Sequence, residues 1–233
     1  DEYLAIGVPA VFMTCAEFWA YEVCLLVAGT ISVADQAAQA ICFSFGILQL
    51  KFASGMAESC TALLGNCIGA GNVPLAYRTM RIMNATVAGM LIVICGATFA
   101  YRREIGGLYS QDETVASLFA QCWRMFSITN LFGLFQFYLQ GAIRALALQE
   151  MGSLHAFVAY YLIGIPTSIY LAVHSELGVY GLQIGLSVSL VLLFVSYLAL
   201  VYLSDWQRIA TEAVLRIKQN TQKMDSLPRD FHS

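Results

Sequence analysis

Apolar residues in this chain gather into long runs, broken at short intervals by Gly, Asn, Pro and charge. Crossing about 30 Å of hydrocarbon needs about 20 apolar residues in a helix. Six runs meet that length, near Tyr3–Val27, Gln36–Cys67, Leu75–Tyr101, Ser117–Ala145, Gly152–Val173 and Tyr180–Leu203. Ile82–Tyr101 and Leu177–Ser204 hold no charged residue, whereas Glu17, Glu22, Lys51, Glu58 and Arg124 interrupt other runs. The connections Gly29–Asp35, Gly69-Ala70-Gly71-Asn72 with Pro74, Tyr101–Glu113, Gln149–Gly152 and His174–Gly178 read as loops. No alternating apolar and polar run suggests a β-barrel. The pattern predicts an all-α membrane protein, a six-transmembrane-helix bundle over 1–204, followed by a polar tail over 205–233. In that tail Trp206, Ile209, Ala213 and Ile217 share one helical face, which suits either an amphipathic helix on the cytoplasmic leaflet or a solvated, disordered segment.

Composition agrees. Of 233 residues, 59% are apolar and 12% are charged, half the charge that a soluble domain carries. Mean hydropathy is +0.69. A net charge of −3 excludes a basic nucleic-acid binder. The seven cysteines are scattered through apolar runs without a CxxC pair, so they read as small apolar fillers and as neither metal ligands nor disulfides. Lys and Arg set orientation. Arg78, Arg81, Arg144, Arg208, Arg216, Lys218, Lys223 and Arg229 fall on one side, and Arg102 and Arg103 on the other. Both termini are therefore expected in the cytoplasm.

The intramembrane charges carry the functional interest, because a carboxylate in the bilayer centre costs roughly 3 kcal/mol or more. Glu17 lies near the middle of the first span and shares a face with Thr14 and Tyr21. Glu22 lies about 7.5 Å further out and about 140° around the helix. Such acids mark ion or proton paths, or fix packing through a neighbouring hydroxyl or cation; Glu22 also suits interfacial water. Lys51 is placed to pair with Glu17 or Glu22, Glu58 reads as interfacial, and Arg124 as snorkelling outward. Gly65-xxx-Gly69 and Gly181-xxx-Gly185 fit close helix crossings, and Pro9 and Pro166 fit kinks. No nucleotide, hydrolase or metalloprotease motif is present, so no catalytic residue, metal site or cofactor is expected.

Several motifs, in order along the chain, resemble the carboxy-terminal half of the multidrug and toxic compound extrusion (MATE) transporters. Gly7-Val8-Pro9-Ala10 with Cys15-Ala16-Glu17-Phe18-Trp19-Ala20-Tyr21-Glu22 looks like that family's seventh helix in its eukaryotic, two-glutamate form. Gly65-Asn66-Cys67-Ile68-Gly69-Ala70-Gly71-Asn72, Gly141-Ala142-Ile143-Arg144, Ala159-Tyr160-Tyr161-Leu162-Ile163-Gly164-Ile165-Pro166 and Ser204-Asp205-Trp206 are similar to later family motifs. The resemblance implies one six-helix lobe of a two-lobe antiporter. It implies Glu17 and Glu22 as proton- or cation-coupling acids. Phe18, Trp19, Tyr21, Ser44, Lys51, Gln136, Tyr160 and Tyr161 would belong to the solute cavity. Departures stand at Gly133, where an acid is common, and at Ser44, Leu63 and Ala53, where Asn, Arg and Pro are common. Without an acid at Gly133, the resemblance favours a proton gradient over sodium, whose hard ion wants several oxygens.

The resulting expectation is proton-coupled efflux of small organic, often cationic, solutes from a multi-pass protein of the plasma membrane or an acidic organelle. A non-transporting scaffold or degenerate half-transporter, and a lipid-linked oligosaccharide flippase, are the other readings. The partners are the lipid bilayer, the solute, and either a missing N-terminal lobe or a second copy; a first residue other than Met favours a cut two-lobe chain.

Overall fold

In a computed structural model, described over residues 2–175 and 177–225, the chain is helical nearly throughout. The side chains of residues 2–6, 9, 10, 13 and 220–225 lie outside the description, and so do the Pro9 kink, Lys223 and Arg229. The helices are α1 (Glu2–Ile31), α2 (Val33–Gly69), α3 (Val73–Ala100), α4 (Arg102–Tyr109), α5 (Glu113–Ala145), α6 (Gln149–His174), α7 (Val179–Leu203) and α8 (Trp206–Asp225). No strand occurs among the described residues.

Six of these are long rods, and each contains one predicted apolar run. Five of them are long and apolar enough to cross a membrane on composition alone, while α5 is not. The reason lies in its position. It packs against α2, α7, α3 and α4, and its polar residues Ser127, Asn130, Gln136 and Gln140 are all buried inside the bundle. A helix that faces protein on most sides can carry polar groups that a lipid-facing helix cannot.

Two expectations from sequence are corrected. The Tyr101–Glu113 connection is not a loop, because it holds the short helix α4. Gly106 and Gly107 disfavour a helix by propensity, yet Gly106 is where α4 meets α5. A Cβ there would lie 2.9 Å from the carbonyl oxygen of Ala116. The Gly65-xxx-Gly69 pair makes no close crossing: a Cβ on Gly65 meets nothing within 4 Å, and one on Gly69 meets only Ile217, at 3.6 Å. Close crossings lie elsewhere. Cβ atoms on Gly181 and Gly185 would strike the backbones of Ala172 and Ser168, and one on Gly141 would strike the backbone of Ala57. α6 is α-helical at Pro166 but widens to π-helical turns on both sides, as expected where a residue without an amide proton interrupts the i→i−4 ladder.

Lipid tails are as apolar as leucine, so these helices associate through close packing and interhelical hydrogen bonds, the latter worth about 0.6 kcal/mol each. Asn130 donates to Gln49, whose amide donates to Thr98 at 3.1 Å, joining α5, α2 and α3. Gln183 donates to Gln39 at 2.8 Å, joining α7 to α2. Asp35 accepts the Val179 amide at 3.1 Å, which satisfies one orphan donor at the start of α7. Phe45, Phe119, Trp123 and Phe126 form an aromatic cluster between α2 and α5.

After Asp205, residues Trp206–Asp225 fold as α8, which lies against α2 and α3. Trp206 is buried, stacked on Tyr77 at 4.2 Å. All seven cysteines are free thiols.

Candidate functional site

Glu17 is 5% exposed, on the inner face of α1. Its carboxylate is held by two amides of α5. Gln136 Nε2 donates to both of its oxygens, at 3.1 and 3.2 Å, and Gln140 Nε2 donates to one, at 3.4 Å. Residues 136 and 140 are one helical turn apart, so both amides point the same way. Among the described residues no cation pairs with Glu17; the ion pairs are Arg144–Glu58 and Arg208–Glu212.

Around this contact lie polar atoms without partners. The side-chain carbonyls of Gln136 and Gln140 are buried and make no hydrogen bond, while the buried Tyr160 hydroxyl faces the Glu17 carboxylate. Each unpartnered carbonyl carries a desolvation cost of about 1–3 kcal/mol. The site therefore holds one carboxylate, two amides spent as donors, a phenol hydroxyl facing the carboxylate, and two amide oxygens free to accept.

In front of Glu17 a narrow cavity opens between α1, α2 and α5. Phe18, Tyr21, Phe43, Phe126, Asn130 and Gly133 contribute to its wall. Tyr21 stacks on Phe43 at 5.5 Å and meets Phe126 edge-on. The cavity volume is about 40 Å³, enough for a few waters and far below the roughly 300 Å³ of a drug-sized site. Gly133 is crowded, since a Cβ there would come within 3.0 Å of Leu190. No group of three His, Cys, Asp or Glu residues suited to a metal occurs among the described residues.

The residues singled out by sequence divide into three groups. Glu17, Phe18 and Tyr21 line the cavity. Gln136 and Tyr160 are fully buried behind it, and the Tyr161 hydroxyl donates to the Ala16 carbonyl at 3.3 Å. Trp19, Glu22, Ser44 and Lys51 point away, on the exposed faces of α1 and α2. The expected pairing of Lys51 with Glu17 or Glu22 is thus not made: Lys51 faces outward and has no ion pair among the described residues. Glu58 pairs instead with Arg144, at 2.8 Å. Sequence reading missed Gln140, although its spacing of four from Gln136 was the available signal. It also missed Phe43 and Phe126, whose apolar type gave no hint of a cavity wall.

The family description MatE matches residues 9–170. Multidrug and toxin extrusion protein 1 of Danio rerio is 28% identical over 92% of this chain and 36% of its own length. The Homo sapiens protein of the same name is 25% identical over 99% of this chain and 40% of its own. The crystal structure of the eukaryotic MATE transporter AtDTX14 superposes with a TM-score of 0.89 at 25% identity, covering 93% of this chain and 49% of that one. The Vibrio cholerae transporter VcmN, at 17% identity, shares the fold with a TM-score of 0.75. The chain thus spans about half or less of the length of these relatives.

Proposed function

Because the chain belongs to the MatE family of multi-pass membrane proteins, we propose that it forms the carboxy-terminal lobe of a proton-coupled antiporter exporting small organic, often cationic, solutes. One observation supports this above the rest: Glu17 is buried with only neutral donors around it. A carboxylate removed from water and left without a counter-cation is relieved by binding either a proton or a cation. It cannot hold both as an anion's partner at once, and mutual exclusion is the minimum requirement for exchange.

The neighbouring amides supply a way to register the change. When Glu17 is ionised, Gln136 and Gln140 donate to it. When it carries a proton, that proton needs an acceptor, and rotating either amide presents a carbonyl oxygen. Those carbonyls are the atoms that lack partners in the present arrangement. The number of donors facing Glu17 thus changes with its proton, and α1 is coupled to α5.

The cavity is too small for a drug-sized solute by itself. In this reading the solute binds where the exposed faces of α1 and α2, with Trp19, Glu22, Ser44 and Lys51, meet a second lobe or a second copy. Both chain ends and α8 face the cytoplasm, following the bias of Lys and Arg. A proton gradient drives exchange, and no cofactor takes part.

The test is uptake of an organic cation into vesicles that contain the full-length protein, under an imposed pH gradient. Glu17→Gln mimics the permanently protonated form and should abolish exchange while leaving expression and thermal stability intact. Wild-type exchange with unchanged pH dependence in this variant would overturn the assignment.

A further inference from the structure

Among the described residues, apart from mid-helix Lys51, the Lys and Arg side chains divide between the α8 end of the bundle and one place at the opposite end. Arg102, Arg103 and Arg124 all line a single open basin between α4 and α5, with Glu113, Ser117 and Gln121. The cause is local. Gly106 lets α4 lie against the Ala116 carbonyl, which brings the first turn of α4 beside the first three turns of α5. Like charges gathered this way repel unless an anion joins them. Glu113 is the one carboxylate of the lining, and it pairs with none of the three; the two ion pairs among the described residues lie elsewhere.

Two of the groups are held in place. Arg102 Nη1 donates to the Phe99 carbonyl at 2.6 Å, and its guanidinium sits over the Phe99 ring at 4.8 Å. The Tyr180 hydroxyl donates to Gln121 Oε1 at 2.7 Å, and Gln121 donates to Ser117 at 3.1 Å. The basin is thereby a set of guanidinium forks with a net excess of positive charge, a geometry that matches phosphate oxygens.

Directly adjoining it is an apolar groove between α3 and α5, lined by Ile92, Gly96, Phe99, Ile128, Leu131 and Phe132. Phe99 joins the two: it lines the groove, and its carbonyl and ring hold Arg102 of the basin. Ile128, exposed, follows Arg124 by one turn on α5. Tyr101, Leu108 and Tyr109 are exposed beside the basin, as suits residues at the membrane–water boundary. A cationic basin above an apolar groove fits an amphiphile and not a freely soluble anion.

We infer that a membrane phospholipid binds here, with its phosphate in the Arg102–Arg103–Arg124 basin and an acyl chain in the α3–α5 groove. The site is separate from the Glu17 cavity and does not depend on the transport reading.

The experiment is native mass spectrometry of the full-length protein with phosphatidylglycerol, compared with soluble glycerol phosphate. Arg103→Gln/Arg124→Gln should weaken phosphatidylglycerol retention by roughly ten- to a hundredfold, the loss of two charge-assisted contacts. Arg78→Gln/Arg81→Gln, at the other end, should not. Ile128→Trp, which fills the groove, should weaken lipid retention without touching the arginines. Arg103→Lys/Arg124→Lys, which keeps charge and loses the forks, should fall between wild type and the glutamine pair. Unchanged retention in the glutamine pair would overturn the proposal, and so would glycerol phosphate binding as tightly as the lipid.

Discussion

Replacing Gly141 by alanine adds one methyl group where α5 crosses α2. Its Cβ would meet the carbonyl oxygen, the carbonyl carbon and Cα of Ala57, the two carbons at 2.8 Å. Ordinary contacts begin at 3.4 Å. All three atoms are backbone, so no rotamer change relieves the clash and the helices must separate. Separation also strains Thr61, whose hydroxyl bridges the carbonyls of Ala57 and Gly141 at 3.0 Å each. Overpacking costs about 1–3 kcal/mol, and weakening the Thr61 bridge adds about 1 kcal/mol. For a chain of this size, about 2–4 kcal/mol corresponds to a fall in unfolding midpoint on the order of 5–15 °C. The buried thiols Cys24, Cys42, Cys60, Cys95 and Cys122 provide the assay, since a thiol-reactive dye reports their exposure as the full-length protein is heated. Gly65→Ala is the matched control: it lies on the same helix as Ala57, and a Cβ there meets nothing within 4 Å. It should leave the midpoint unchanged or slightly higher, because alanine favours a helix. Equal midpoints for Gly141→Ala and wild type, or an equal loss in Gly65→Ala, would refute the reasoning.

Three further outcomes are expected. Glu22→Gln should retain partial exchange in the vesicle assay, because Glu22 is exposed and has no ion-pair partner among the described residues; complete loss would give it the role assigned to Glu17. A double-mutant cycle on Glu17 and Lys51, read by thermal unfolding, should show coupling near zero, below about 0.5 kcal/mol, and a larger value would mean that the two charges meet. Single cysteines placed at Gln111 and Glu150, both exposed, should react with an impermeant reagent from opposite sides of the membrane, the former from outside; labelling of both from one side would overturn the topology.

Periodicity and run length determined the long helices of this protein and not the short α4, since about 20 apolar residues have one stable form in a bilayer. They also marked Glu17 as out of place, because a carboxylate in the middle of an apolar run is costly unless the bundle supplies it with partners. The run ends were less legible, with α2 and α6 starting three residues before their apolar runs. Two glycine pairs with the same spacing show where local information stops. Gly181 and Gly185 face another helix and Gly65 does not, and spacing carries no record of which face a neighbour occupies. The same applies to charge. Lys51 lies in an apolar run like Glu17, yet the rotation of α2 within the bundle turns it outward while α1 turns Glu17 inward. Tertiary packing alone brought Gln136 and Gln140 to the carboxylate 119 and 123 positions away, and seated Leu190 against Gly133. Hydropathy along a chain reports the solvent that a segment requires; which side chains share a cavity depends on how helices rotate and cross, and that is decided by contacts between residues far apart in sequence.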